Sequence, residues 1–218
     1  MALMKSNTVP KDAVVLSEAE AIKYIWDIII EWDSLADTWA LRYASGVLGG
    51  INAVSGVLIN RHYRHKFRLG SFGYLASVIP LSLMPGMLTT LFHRHFVTTD
   101  MLLMKQEACP ICLEVRSAAI QGVMGVVYPT ILASSAGLML AHRYSTYRIP
   151  DLMEGPKVMF NFVRRLTRPY SRSLATLGAF QLVASSVLTY YEMRNNLTIR
   201  KKLMEIEEKV TNEEKIKS

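Results

Sequence analysis

Apolar positions along this chain gather into long runs, and charged positions fall between them. Four runs stand out, at residues 39–60, 69–92, 118–141 and 173–191. Arg42 is the one charged residue in the first, and the other three carry none. A helix rising ~1.5 Å per residue needs roughly 20 apolar residues to cross ~30 Å of hydrocarbon. Each run predicts a spanning helix. The expected fold is all-α: a polytopic membrane helical bundle with four transmembrane helices.

Different patterns flank the bundle. Residues 1–38 form an N-terminal segment in which 17–37 has the period of an amphipathic helix. Ser17 and Glu20 fit a capping box there, and Ile22, Ile25, Trp26, Ile29 and Trp32 recur on one face. That face fits a protein groove, a shallow interfacial position or the chain's own bundle. Residues 39–191 make the transmembrane domain. Residues 192–218 predict a charged helical tail, with Glu205 and Lys209 spaced to pair. Asn196-Leu197-Thr198 matches a glycosylation acceptor, set too close to the last span for ready use. Residues 151–168 predict a short interfacial helix, ended by Pro169. Pro80, Pro85 and Pro129 fall inside spans and predict kinks.

Small residues crowd the first span. Gly46 and Gly50 make a G-x-x-x-G pair, extended by Gly49 and Ala53. Such a face lets a second helix approach closely, either from the same bundle or from a partner.

Composition agrees with a membrane protein. Half of the 218 residues are hydrophobic, and mean hydropathy is +0.19. Disorder is excluded, and two cysteines exclude a disulfide framework. The net charge of +7 is unevenly spread. Arg61, Arg64, Lys66 and Arg68 fill the first loop, and Arg164, Arg165 and Arg168 lie before the last span. These seven are expected to meet lipid head groups, cardiolipin in a mitochondrial setting, rather than nucleic acid. The positive-inside tendency puts loops 61–68 and 142–172 on one side. Both termini and the loop carrying the cysteines then face the other. The first fifteen residues carry neither an apolar signal core nor an arginine-rich, acid-poor leader pattern.

Candidate chemistry is sparse. Cys109-Pro110-Ile111-Cys112 is a C-x-x-C that fits a redox pair, a static disulfide, two reduced thiols or half of a metal site. Quinone-linked oxidoreductases of the vitamin K epoxide reductase class also carry C-x-x-C. They relay electrons through a second cysteine pair, which this chain lacks. A metal site would need His93 and His95 as further ligands. All five histidines fall just outside the proposed spans and are expected at the interface. The spans hold no Asp, Glu or Lys, which argues against a pump or a proton-coupled carrier. Neither a catalytic residue nor a metal or cofactor is expected.

One block is more specific. From Cys109 the sequence runs C-x-x-C, Arg116-Ser117, Gly125, Tyr128-Pro129 and Arg143-Tyr144 at fixed spacing. In this the chain resembles the transmembrane protein 126 family, and its wider layout agrees from about residue 17 to 200. The resemblance implies a non-enzymatic protein of the mitochondrial inner membrane that assists assembly of respiratory complex I. It implies complex I membrane-arm subunits and other assembly factors as partners. In that membrane the inside is the matrix, so the cysteine loop would face the intermembrane space. A permanent accessory subunit, or a thiol-disulfide oxidoreductase using Cys109 and Cys112, are the alternatives.

Overall fold

A computed structural model describes residues 16–103, 109–150 and 155–217, all of it helix, turn and loop. The elements are α1 (Glu18–Glu31), α2 (Leu35–Lys66), α3 (Tyr74–His93), α4 (Thr99–Leu102), α5 (Pro110–Gly122), α6 (Tyr128–Arg143), α7 (Pro156–Thr167) and α8 (Ser171–Lys217). A π-helical turn at Arg94–Thr98 joins α3 to α4, and another at Val123–Val127 joins α5 to α6. A 3₁₀ turn at Arg168–Tyr170 carries α7 directly into α8, so Pro169 does not end the helical path. Four long rods result: α2, α3–α4, α5–α6 and α8.

Among the described residues, three stretches are long and apolar enough to cross a membrane: Tyr74–Leu102, Pro110–Arg143 and Lys157–Val210. The expected fourth span, 39–60, is helical but does not reach that hydropathy. The reason is its position. α2 packs against α3, α6 and α8, and the face it buries carries Thr38, Ser45, Asn52, Ser55, Asn60 and Arg64. A helix with one face packed against other helices needs no apolar side chains on that face. The second span also starts later than expected, because residues 69–73 form a turn with Gly70 and Gly73 in the left-handed region.

The bundle is apolar outside and partly polar inside. On α3, Leu75, Ile79, Leu83, Met87 and Leu91 recur outward at helical spacing, each more than half exposed. Lipid is the solvent that suits such a surface. Its buried apolar side chains cluster at the two ends. One end joins Ile29, Leu41, Val97, Met101, Leu102, Leu113 and Ile199. The other joins Ile59, Tyr63, Phe67, Leu69, Leu81, Ala133 and Ala141.

The first of these ends gathers α1, the cysteine-bearing start of α5 and the outgoing part of α8. Ser17 and Glu20 form the expected capping box. Ile25, Trp26, Ile29 and Trp32 pack on the chain's own bundle, so the amphipathic face is spent internally. Arg42, the one charge in the first apolar run, donates to the carbonyls of Ile29 (3.0 Å), Ile30 (2.9 Å) and Trp32 (3.1 Å). It thereby satisfies orphan carbonyls at the end of α1. Asn196 donates to the Met101 carbonyl (3.2 Å) and is buried, so it offers no accessible glycosylation site. In the tail, Glu205 pairs with Lys201 (3.9 Å).

The prolines are absorbed in two ways. Pro129 follows the π-helical turn, whose wider spacing accommodates a residue with no N–H. Pro80 and Pro85 sit within an unbroken α3. Pro85 leaves the Leu81 carbonyl without its helical donor, and that oxygen lies against Gly56 of α2. No side chain other than hydrogen would fit there.

Candidate functional site

Between the two apolar ends runs a seam of buried polar side chains. Its middle centres on Asn52. The Asn52 amide donates to Thr89 Oγ1 (2.6 Å), and its carbonyl accepts from Gln121 Nε2 (2.8 Å) and Gln181 Nε2 (3.1 Å). Gln181 also donates to Ser55 (2.7 Å). A Cβ at Gly125 would land on Asn52 and Gln181, so the glycine makes room for this cluster. The side-chain oxygens of Gln121 and Gln181 are buried without a partner among the described residues.

One helical turn further along three rods lies a joint built on a buried ionisable pair. His93 Nε2 is 2.8 Å from Glu192 Oε2, and the two side chains are 1% and 0% exposed. Ser117 Oγ is 3.2 Å from His93 Nδ1 and 2.5 Å from Ser185 Oγ. Thr189 donates to Ser117 (2.9 Å), and Thr98 donates to Glu192 (3.5 Å). An imidazole protonated at Nε2 satisfies this set: it donates to Glu192 and accepts from Ser117. The order hydroxyl, imidazole, carboxylate is that of a hydrolytic triad. Here the hydroxyl is enclosed by Ser185, Thr189 and His93, with no space for a substrate against it. The joint binds helices together.

This corrects the expectation that every histidine is interfacial and that ionisable groups avoid the bundle. His93 lies one residue beyond the predicted second span and Glu192 one beyond the predicted fourth. The helices continue past both ends, so the two meet inside. A signal existed. Gln181, Ser185, Thr189 and Glu192 recur at helical spacing on one face, as do Thr89 with His93 and Ser117 with Gln121. Single polar residues so spaced in apolar runs mark a buried polar stripe.

The other predicted residues divide. Gly49 and Ala53 face α3: a Cβ on Gly49 would stand 2.7 Å from the Gly86 carbonyl oxygen, and Ala53 lies against Gly86. Gly46 and Gly50 have nothing near them. They lie on the outer face of α2 with exposed Tyr43, Val47, Val54 and Leu58. Of the expected head-group contacts, Arg64 is not one. It is buried and donates to Gly70 O (2.7 Å), Phe72 O (2.8 Å) and Ser77 Oγ (2.9 Å), fastening the 67–73 turn. Arg61, Lys66 and Arg68 are exposed, as are Arg164, Arg165 and Arg168 on and after α7.

Cys109 caps the N-terminus of α5, Pro110 opens the helix, and Cys112 sits in its first turn. Both thiols are free and exposed. The backbone N–H of Cys112, then its thiol, hold the Cys109 thiol below the usual range. Among the described residues no group of three metal-ligating side chains converges, and His93 is committed to Glu192.

The motif residues have structural tasks. Arg116 donates to Asp100 (2.5 Å) and to the Phe96 carbonyl (2.8 Å), bracing the π-helical turn. Tyr144 stacks on Phe72 at 4.8 Å, and Arg143 lies 6.0 Å from the Tyr144 ring. Thr146 donates to the Phe67 carbonyl (3.0 Å). Loops 61–68 and 142–172 therefore meet at one end, opposite the cysteines.

Known proteins agree with the motif. Residues 23–209 match the family described as Transmembrane protein 126. The chain is 41% identical over 209 residues to Transmembrane protein 126 of Drosophila melanogaster, covering 96% of this chain and 94% of that one. It is 27% identical over 153 residues to Transmembrane protein 126A of Mus musculus, covering 70% and 75%. No solved structure matches.

Proposed function

The chain belongs to the transmembrane protein 126 family, and on that premise we propose that it is a non-enzymatic assembly factor of the mitochondrial inner membrane. It binds membrane-arm intermediates of respiratory complex I during biogenesis, together with other assembly factors and anionic phospholipid such as cardiolipin. Loops 61–68 and 142–172 face the matrix; the termini and the cysteine loop face the intermembrane space. The shared end of the two basic loops supports this orientation.

The observation that carries the reading is the outer face of α2. One face of this helix is packed by three neighbours, while the other presents Gly46 and Gly50 beside Val47 and Val54, with open space above both glycines among the described residues. Lipid gives little hydrophobic drive for association, so affinity between spanning helices comes from close packing. A newly inserted apolar subunit helix finds that packing here.

The test joins native-gel profiling of mitochondrial membranes with a double substitution. The protein is expected to migrate with partial complex I assemblies. Gly46→Leu with Gly50→Leu should release them while the protein stays inserted. Unchanged co-migration of the double variant overturns the docking face. Equal stoichiometry in the finished enzyme makes the chain a subunit instead.

A further inference from the structure

A cavity of about 920 Å³ opens between the C-terminal end of α2 and the start of α8. Its basic wall is Arg61, Lys66 and Arg68 with His65, and His62 lies behind them; among the described residues no carboxylate lines it. Among the described residues none of the arginines or Lys66 has an acidic partner. His62 stacks on Tyr170, with ring centroids 3.6 Å apart and planes 10° apart, and its Nε2 is buried without a partner among the described residues. A second cavity, about 740 Å³, lies on the other flank of α2 and shares Arg61, His65 and Arg68 with the first. The cations thus form a ridge between two hollows.

Polarity along the walls is graded. From Arg68, in the turn after α2, and on down the helix, the lining passes through Lys66 and Arg61 to Leu58. Going down α8, it passes from Ser173 and Thr176 to Leu177 and Phe180. The two helices run antiparallel, as the pairs Tyr63–Thr167 and Trp39–Tyr191 show. Both walls therefore turn from polar to apolar in one direction, toward the middle of the bundle. The second hollow grades likewise, from Arg61, Arg68 and His65 to Val57 and Val78.

We infer that this end of α2 is a binding site for a phospholipid whose head group carries two phosphates, one to each side of the Arg61–His65–Arg68 ridge, with acyl chains along Leu58 and Phe180. A helix C-terminus favours cations by itself, but it does not require cavities with apolar floors beside them. Arg61, Lys66 and Arg68 facing one hollow repel one another unless an anion neutralises them. A soluble anion would satisfy the charges and leave the apolar walls bare. A lipid satisfies both, and basic pockets between spanning helices suit anionic head groups. The inference refines the lipid contact within the proposed function and does not depend on complex I binding.

The experiment is native mass spectrometry of the full chain purified in detergent with added tetraoleoyl cardiolipin, phosphatidylglycerol or phosphatidylcholine. Cardiolipin should be retained at least ten-fold better than phosphatidylcholine, and better than phosphatidylglycerol. Excess inorganic phosphate should not displace it. The triple variant Arg61→Ala, Lys66→Ala, Arg68→Ala should lose that retention, whereas Arg164→Ala with Arg165→Ala should keep it. Thr176→Trp, which blocks the first cavity without changing charge, should also lose it, with helicity by circular dichroism unchanged. Equal retention by the triple variant, or displacement by phosphate, overturns the site. Co-migration with complex I intermediates is read separately on the same variants, so loss of one result leaves the other standing.

Discussion

Single side chains at the basic end show how context resets chemistry. Arg64 and Arg61 are one helical turn apart, yet one is a buried fastener of the 67–73 turn and the other lines a cavity. His62 lies between them, against Tyr170. Burial, then the charges of Lys66 and His65, hold its imidazole below the ordinary value of 6.5. A depressed histidine binds a proton less readily folded than unfolded. Its contribution to stability is therefore full above pH 6.5 and is lost as pH falls through the lowered value. In lipid-free detergent, the thermal midpoint should fall between pH 7.5 and 5. His62→Phe, which keeps a ring on Tyr170, should fall less. Parallel curves for the two proteins would contradict this.

At the scale of elements, α2 shows what the sequence exposes and what it hides. The G-x-x-x-G pattern was legible, but its faces were not, because Gly46, Gly49, Gly50 and Ala53 are close in number and differ in direction. Only the partner helix separates them. Gly49→Leu drives a side chain into the Gly86 carbonyl, 2.7 Å from the Cβ position, and into the Thr90 hydroxyl. Overpacking of this kind costs about 1–3 kcal/mol. Gly46→Leu meets open space and should leave stability within about 0.5 kcal/mol. Thermal melting of each variant in detergent checks the pair; equal losses would mean the two faces are not distinct. The capping box of α1, the amphipathic period of α1 and the apolar runs were likewise local, and the structure keeps them. The first run, 39–60, falls short of the other three for a non-local reason: apolar content reports contact with lipid, and one face of α2 is turned to its neighbours and carries polar side chains. His93 and Glu192 escaped for a related reason. Span boundaries drawn at the first ionisable residue assume that such a residue marks water, whereas here each ionisable side chain finds the other.

Across the whole molecule, the two apolar ends and the polar seam divide the work of holding four rods. Close packing of aliphatic side chains gives little discrimination between registers in a medium that is itself aliphatic. Directional bonds from Asn52 to α3, α5 and α8 fix how the rods slide and turn. Each neutral bond of this type is worth about 0.6 kcal/mol in a bilayer, so their effect is on specificity more than depth. The joint at His93 and Glu192 is different in kind, because removing one member leaves the other buried and unpaired. Such a loss costs about 3–5 kcal/mol. Glu192→Leu and His93→Leu should each melt well below the parent. The double variant, which leaves no orphaned ionisable group, should lose at least about 1 kcal/mol less than the two losses added. Additive losses would mean that the pair is not coupled. Sub-additive losses would identify the seam as the feature that keeps α3, α5 and α8 in register around α2, and with them the outward direction of Gly46 and Gly50.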